Sequence, residues 1–320
     1  MEQQAEKSKL SKKQIAVRVV SVILVMVSFG YVGEQIVQGW GHFSEQTWNF
    51  SPGFLVLSFL LLLLNFVMVA WGWAVVFRDL GEPAGIVQTF AIIYTAQLGR
   101  YIPGKVWIFL GQAHVAGRLG FNRTSALATS ILINLCGNLG AFVVFGVSVF
   151  GAGYPQWMAW LAFAAAIAGT VVLIVAPNRI EALLNRYRAK KGGESIRLSF
   201  GRSAVLKCVG IMALAWVVNC AAFAALVSSI TPTDPGAWFE LGLAYNVAYF
   251  FAFYMLIVPG GIGVREGAIT ALLKTTLGTT MAGTVALAQR FWILAAEIAA
   301  FGIAMLILWR GKGRKHKIHP

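Results

Sequence analysis

Most of this sequence is a succession of apolar runs long enough to cross a bilayer, joined by polar stretches too short to build a water-facing surface. A spanning helix needs about 20 apolar residues. Such runs lie at about 15–37, 53–77, 124–150, 157–176, 204–230, 239–258 and 281–309. In hydrocarbon every backbone polar group must be satisfied internally, so runs of this kind are helices. Only 12% of the residues are charged, about half of what coats a soluble domain. The fold class is therefore an all-α polytopic membrane protein.

The net charge of +14 is a topology signal, because the basic residues sit between apolar runs and do not form a polar face. No nucleic-acid partner is expected. Lysine and arginine concentrate in cytoplasmic connections. The connections 38–52, 151–156 and 231–238 contain neither, whereas Arg78, Arg118, Arg123, the stretch from Arg179 to Arg202 and the stretch from Arg310 to Lys317 are basic. The sequence thus divides into a cytoplasmic basic tail at 1–14, a single transmembrane domain at 15–309 with a cytoplasmic basic loop at 177–203, and a second cytoplasmic basic tail at 310–320. The first run is read as an uncleaved anchor. Both termini are expected in the cytoplasm.

Cys136, Cys208 and Cys220 lie in apolar stretches without Cys-x-x-Cys spacing, and the histidines are scattered. Neither a disulfide framework nor a metal site is expected.

Two segments, about 85–118 and 239–278, are apolar but broken by a Pro-Gly pair. The first reads Gln97-Leu-Gly-Arg100-Tyr-Ile-Pro103-Gly104-Lys105-Val-Trp107, and the second Val258-Pro259-Gly260-Gly261-Ile-Gly263-Val-Arg265-Glu266-Gly267. Proline removes a donor and stops the preceding helix, and glycine permits the turn. The arms of the first segment, about 85–98 and 106–118, are each about half a bilayer long at ~1.5 Å per residue. The count is about six full spans plus two Pro-Gly-broken re-entrant hairpins, or about eight spans with the same end topology. The order of parts in 53–150 returns in 204–309 with opposite direction, an arrangement of inverted repeats found in transporters.

A helix starting after each break presents free N–H groups and the positive end of its dipole. Lys105 stands at one such start and Arg265 at the other, so together they make a candidate anion site. Arg290 and Glu297 in the last run share a helical face, and either they pair with each other or with Arg265 and Glu266, or Arg290 joins the anion site. Asn134 and Asn138 form a polar stripe expected to join helices. The candidate binding residues are Gln97, Arg100, Lys105, Arg265, Glu266, Arg290 and Glu297, and the structural breaks are Pro103, Gly104, Pro259, Gly260 and Gly261.

These two broken motifs, in this order, resemble those of the lysylphosphatidylglycerol synthase transmembrane family, also called flippase-like proteins, and the flippase half of the bacterial multiple peptide resistance factor. The resemblance covers about 15–309. It implies a polytopic inner-membrane protein that moves a lipid, an aminoacylated phosphatidylglycerol in some relatives and a lipid linked to polyprenyl-phosphate sugars in others. After Trp309 only a short basic stretch follows, so synthesis of the lysyl lipid is not expected of this chain.

The expected function is therefore a flippase or transporter for an anionic phospholipid or polyprenyl-phosphate-linked headgroup, without enzymatic activity or cofactor. No Gly-x-x-x-x-Gly-Lys-Ser/Thr string is present, so movement would be passive or gradient-driven. One alternative is a transferase acting on a lipid phosphate, with Asp234 and Glu240 as its acidic candidates. Another is a partner subunit of a cytoplasmic or membrane enzyme in a lipid or glycan pathway, and a homo-oligomer is compatible with each.

Overall fold

A computed structural model describes residues 50–97, 99, 106–175, 185–186, 200–254 and 263–315. The first apolar run, most of the basic loop, and Arg100, Pro103, Gly104, Lys105, Pro259, Gly260 and Gly261 lie outside the described residues.

Among the described residues the elements are all α-helices: α1 (Pro52–Asp79), α2 (Ile86–Ala96), α3 (Val106–Arg118), α4 (Arg123–Gly151), α5 (Gln156–Val175), α6 (Arg202–Ile230), α7 (Ala237–Tyr254), α8 (Val264–Leu277) and α9 (Thr279–Lys315). Five of them, α1, α4, α5, α6 and α9, are long and apolar enough to cross a membrane. Large side chains such as Leu60, Trp157, Val175 and Ile298 are exposed on them, as a lipid-facing surface requires. Helix α9 continues through the basic stretch to Lys315, beyond the expected end of the apolar run. Lysine and arginine are good helix formers, and cations are favoured at a helix C-terminus.

The flanks of both breaks are helical. Helices α2 and α3 have 11 and 13 residues, about 16 and 20 Å. Helix α8 has 14 residues and α7 has 18. The α2 and α3 arms are antiparallel and close. A Cβ on Gly111 would meet Ala96 at 3.0 Å, and one on Gly99 would meet the backbone of Ile108 at 3.3 Å. Small residues are what let membrane helices approach this far.

The packing centre is the antiparallel pair α1 and α6. It is fastened at three places, each fourteen residues from the next on both helices. Ser51 N–H donates to the Ser229 carbonyl at 2.9 Å, Asn65 Nδ2 to the Ala215 carbonyl at 2.6 Å, and the Gly201 N–H to the Asp79 carboxylate at 2.6 Å. The pattern is unchanged when α1 and α6 exchange places: Ser51 and Gly201 both precede their helix by one residue, and Asn65 and Ala215 are both the fourteenth residue inside it. Aromatic pairs follow the same rule. Phe66 on α1 stacks on Tyr94 of α2 at 4.8 Å, and Trp216 on α6 meets Tyr249 of α7 at 4.7 Å. Phe66 and Trp216 each stand fifteenth in their helix.

The neighbours agree. Helix α1 packs on α2, α2 on α3 and α3 on α4, while α6 packs on α7, α7 on α8 and α8 on α9. Across the two sets, α4 touches α7 and α9 touches α2. The long helices α4 and α9 thus each lie beside the hairpin of the other set.

Candidate functional site

The second break positions the charged side chains. Its downstream helix α8 starts at Gly263, whose φ of 80° lies in the region that glycine enters without a Cβ clash. Glu266 completes that start: its Oε2 accepts the Gly263 N–H at 2.7 Å, satisfying one of the donors a helix N-terminus leaves open.

Arg265, the second residue of α8, is 4% exposed. Its guanidinium lies 5.7 Å from the centre of the Tyr249 ring on α7, a cation–π contact. The Arg265 Nε–H has no hydrogen-bond partner. One turn before Tyr249, Tyr245 sits beside Asn219 of α6 and within electrostatic reach of Arg265. The Asn219 Oδ1 is also buried and unpartnered. A buried donor and a buried acceptor therefore flank Tyr245.

Helix α9 supplies the opposite charges and one neutral group. Arg290 Nη1 stands 3.7 Å from Glu266 Oε1, an ion pair too long for a hydrogen bond. Gln289 is wholly buried, and neither its Nε2 nor its Oε1 has a partner. Glu297 is 1% exposed and lies two turns further along the same face of α9. Among the arrangements expected for the last span, the contact of Arg290 with Glu266 on the neighbouring helix is present.

Such a set is costly. A lone buried charge in hydrocarbon is penalised by several kcal/mol, and intramembrane ionisable residues generally mark a pathway or a binding site. Arg265, Glu266, Arg290 and Glu297 are balanced in charge as a set. Even so, Arg265 Nε and both ends of Gln289 are left with open hydrogen-bonding capacity.

At the first break, Gln97 is half-buried at the end of α2, whereas Arg100 and Lys105 lie outside the described residues. The α3 and α4 helices downstream of that break are joined by a neutral pair, Ser130 Oγ to Gln112 Oε1 at 2.6 Å. The expectation that Asn134 and Asn138 join helices is corrected by their hydrogen bonds. Asn134 Nδ2 donates to the Ser130 carbonyl at 2.8 Å and Asn138 Nδ2 to the Asn134 carbonyl at 2.7 Å. Both bonds stay inside α4.

Tyr245, Tyr249 and Asn219 were not among the residues expected from the sequence. The signal for the two tyrosines is the density of aromatic residues from Tyr245 to Tyr254, directly upstream of the second break; Asn219 has none. Glu240, the acidic residue considered for transferase chemistry, accepts a hydrogen bond from Thr276 and so ties the ends of α7 and α8 away from the break. Among the described residues no three His, Cys, Asp or Glu side chains are grouped as metal ligands. A shallow cavity lined by Phe54, Ser228, Pro232, Thr233, Pro235 and Trp238 carries no charged side chain.

The sequence was compared with known proteins. The family model described as the lysylphosphatidylglycerol synthase TM region matches residues 15–308. No curated protein matches the chain.

Proposed function

This chain belongs to the family of the lysylphosphatidylglycerol synthase TM region, and from that premise we propose that it moves an anionic lipid headgroup between the leaflets of a plasma membrane. The observation that carries the reading is Arg265: a guanidinium 4% exposed, at the start of a helix that begins inside the apolar segment, with Nε unpartnered. A phosphate leaving the interface loses its water, and an unpaired buried charge is unfavourable by many kcal/mol in continuum estimates. Arg265, Arg290 and the α8 N-terminus would replace that water, with Arg100 and Lys105 contributing from the first break. The acyl chains stay in lipid while the headgroup passes between the two hairpins.

The short arms α2 and α3 support a first hairpin that enters and leaves on one side, and α7 and α8 a second entering from the other. The exchange pattern of α1 with α6, and of Phe66–Tyr94 with Trp216–Tyr249, supports two inverted units whose breaks meet near mid-membrane. Inverted repeats with broken helices are a recurrent plan for alternating access. Glu266 and Glu297 are the groups available to carry a proton if movement is gradient-driven.

The test is lipid identification by mass spectrometry on gently purified wild-type protein, beside Arg265→Ala and Lys105→Ala. One anionic lipid enriched in the wild type and lost in both variants is expected. The same lipid content in all three proteins would assign the charges a structural role and favour a partner-subunit function.

A further inference from the structure

We infer that Glu266 is a built-in competitor for the anion site: its carboxylate occupies the place of a phosphate oxygen, and an arriving anion must displace it. The inference rests on the headgroup reading above and names what the headgroup has to move.

Two of the groups assigned to the phosphate are already engaged by this one side chain. Glu266 Oε2 accepts the Gly263 N–H at 2.7 Å, and donors of this kind at a helix start are ready-made for anions. Its Oε1 lies 3.7 Å from Arg290 Nη1. Arg265, the preceding residue, is buried and keeps an unpartnered Nε–H. Two guanidinium groups and the positive end of α8 are thus gathered around a single carboxylate. Glu297, the other carboxylate of the set, stands seven residues beyond Arg290, about 10 Å along α9.

Glu266 fills this place incompletely. A charge-assisted hydrogen bond between guanidinium and carboxylate closes to about 2.7–2.9 Å. The Arg290 contact stays longer than that, and Glu266 Oε1 is buried without a hydrogen bond. Capping the helix explains Oε2. It does not explain an Oε1 placed opposite a cation and held by no hydrogen bond. A buried acceptor left open is unfavourable, so a better-fitting anion can take its place. A phosphate has oxygens for both partners and a further one for the Arg265 Nε–H.

Glu266 is also the charge best able to leave. Its side chain is 13% exposed against 7% for Arg290, while Arg265 and Glu297 are buried. The backbone around it is fixed: the Gly267 N–H donates to the Gly263 carbonyl at 2.9 Å, and Thr270 Oγ1 to the Glu266 carbonyl at 2.9 Å. Rotation of the side chain alone would uncover the Gly263 N–H and Arg290 together.

The test measures anion binding to the full chain in detergent, with radiolabelled inorganic phosphate and, separately, a radiolabelled short-chain phosphatidate. Glu266→Gln keeps an amide oxygen for the Gly263 N–H and removes the competing charge. A released fraction of about one in ten lowers the apparent affinity of the wild type by that factor, so the variant should bind roughly tenfold tighter. Tightening with phosphatidate alone assigns the site to lipid, and tightening with both probes assigns it to phosphate from either source. Infrared difference spectra on adding the anion should show a carboxylate change in the wild type. That change should be absent in Glu266→Gln and moved in frequency in Glu266→Asp. A carboxylate that only caps the helix gives no such change.

Binding by Glu266→Gln that equals or falls below the wild type overturns the inference, as does a wild-type spectrum without the carboxylate change. Should Glu266→Gln fold poorly, the wild-type and Glu266→Asp spectra decide. Arg265→Ala reports separately. Binding equal to the wild type in that variant, or no binding by any of the proteins, overturns the headgroup reading itself. Loss of binding in Arg265→Ala with no gain in Glu266→Gln overturns the competitor role alone.

Discussion

Glu266 and Arg290 face each other at 3.7 Å from adjacent helices, and each stands twelve residues from Gly278, the turn between α8 and α9. Equal counts place them at one distance, about 18 Å along each helix, from that turn. Gly278 has φ 79°, a conformation that suits glycine, so α8 can double back onto α9 with no intervening loop. Glu266 serves two partners: Oε2 caps α8 and Oε1 faces Arg290.

Removing one member of this pair takes a counter-charge from the other, which is destabilising in buried pairs. Glu266→Gln and Arg290→Gln should each lower the thermal midpoint of the purified protein. The double variant should lose less than the sum of the two. Strict additivity would show that the two side chains are not coupled.

Gln289 makes the opposite prediction. Both of its amide atoms are buried without partners, so Gln289→Leu gives up no hydrogen bond inside the protein and should leave stability unchanged or raise it by about 1 kcal/mol. Lipid retention should fall at the same time. A variant that is clearly less stable yet retains lipid normally would assign Gln289 to the fold.

Close packing of α4 on α6 is tested at two glycines three residues apart. A Cβ at Gly140 would stand 2.6 Å from the Ala213 nitrogen and 2.8 Å from the Met212 carbonyl carbon, both backbone atoms that cannot swing aside. Gly140→Ala should destabilise by about 1–3 kcal/mol. Gly137→Ala, where a Cβ meets nothing within 4 Å, should behave like the wild type. Equal thermal midpoints for the two variants would contradict the packing.

Topology is open to labelling from one side of the membrane. Cys136, Cys208 and Cys220 are buried, so an impermeant maleimide should read introduced cysteines above a low background. Arg186→Cys should be labelled only from the cytoplasmic side and Asp234→Cys only from the other. Labelling of both from one side would contradict the orientation.

Span positions were legible because a membrane helix is written in composition: the runs at 53–77, 124–150, 157–176 and 204–230 match α1, α4, α5 and α6 to within two residues at each end. Arg265, Glu266 and Arg290 were legible for the same reason, since charges stand out in apolar sequence. The contact of Arg290 with Glu266 was legible only as one alternative among others, because it depends on the sharp α8–α9 turn at Gly278. Asn219 was hidden because α6 and α7 come together through tertiary packing, which leaves no spacing signal in α6. Asn134 and Asn138 were visible as a stripe, but their i to i−4 bonds inside α4 carry no spacing signal of their own.

The most direct test of the account is leaflet exchange of a labelled anionic phospholipid in sealed vesicles carrying wild-type protein or Arg265→Ala at equal, monodisperse loading. Exchange well above protein-free vesicles for the wild type, falling to the protein-free rate for Arg265→Ala, is the predicted result. Equal exchange by both proteins would remove Arg265, and with it the broken-helix site, from the path of the headgroup.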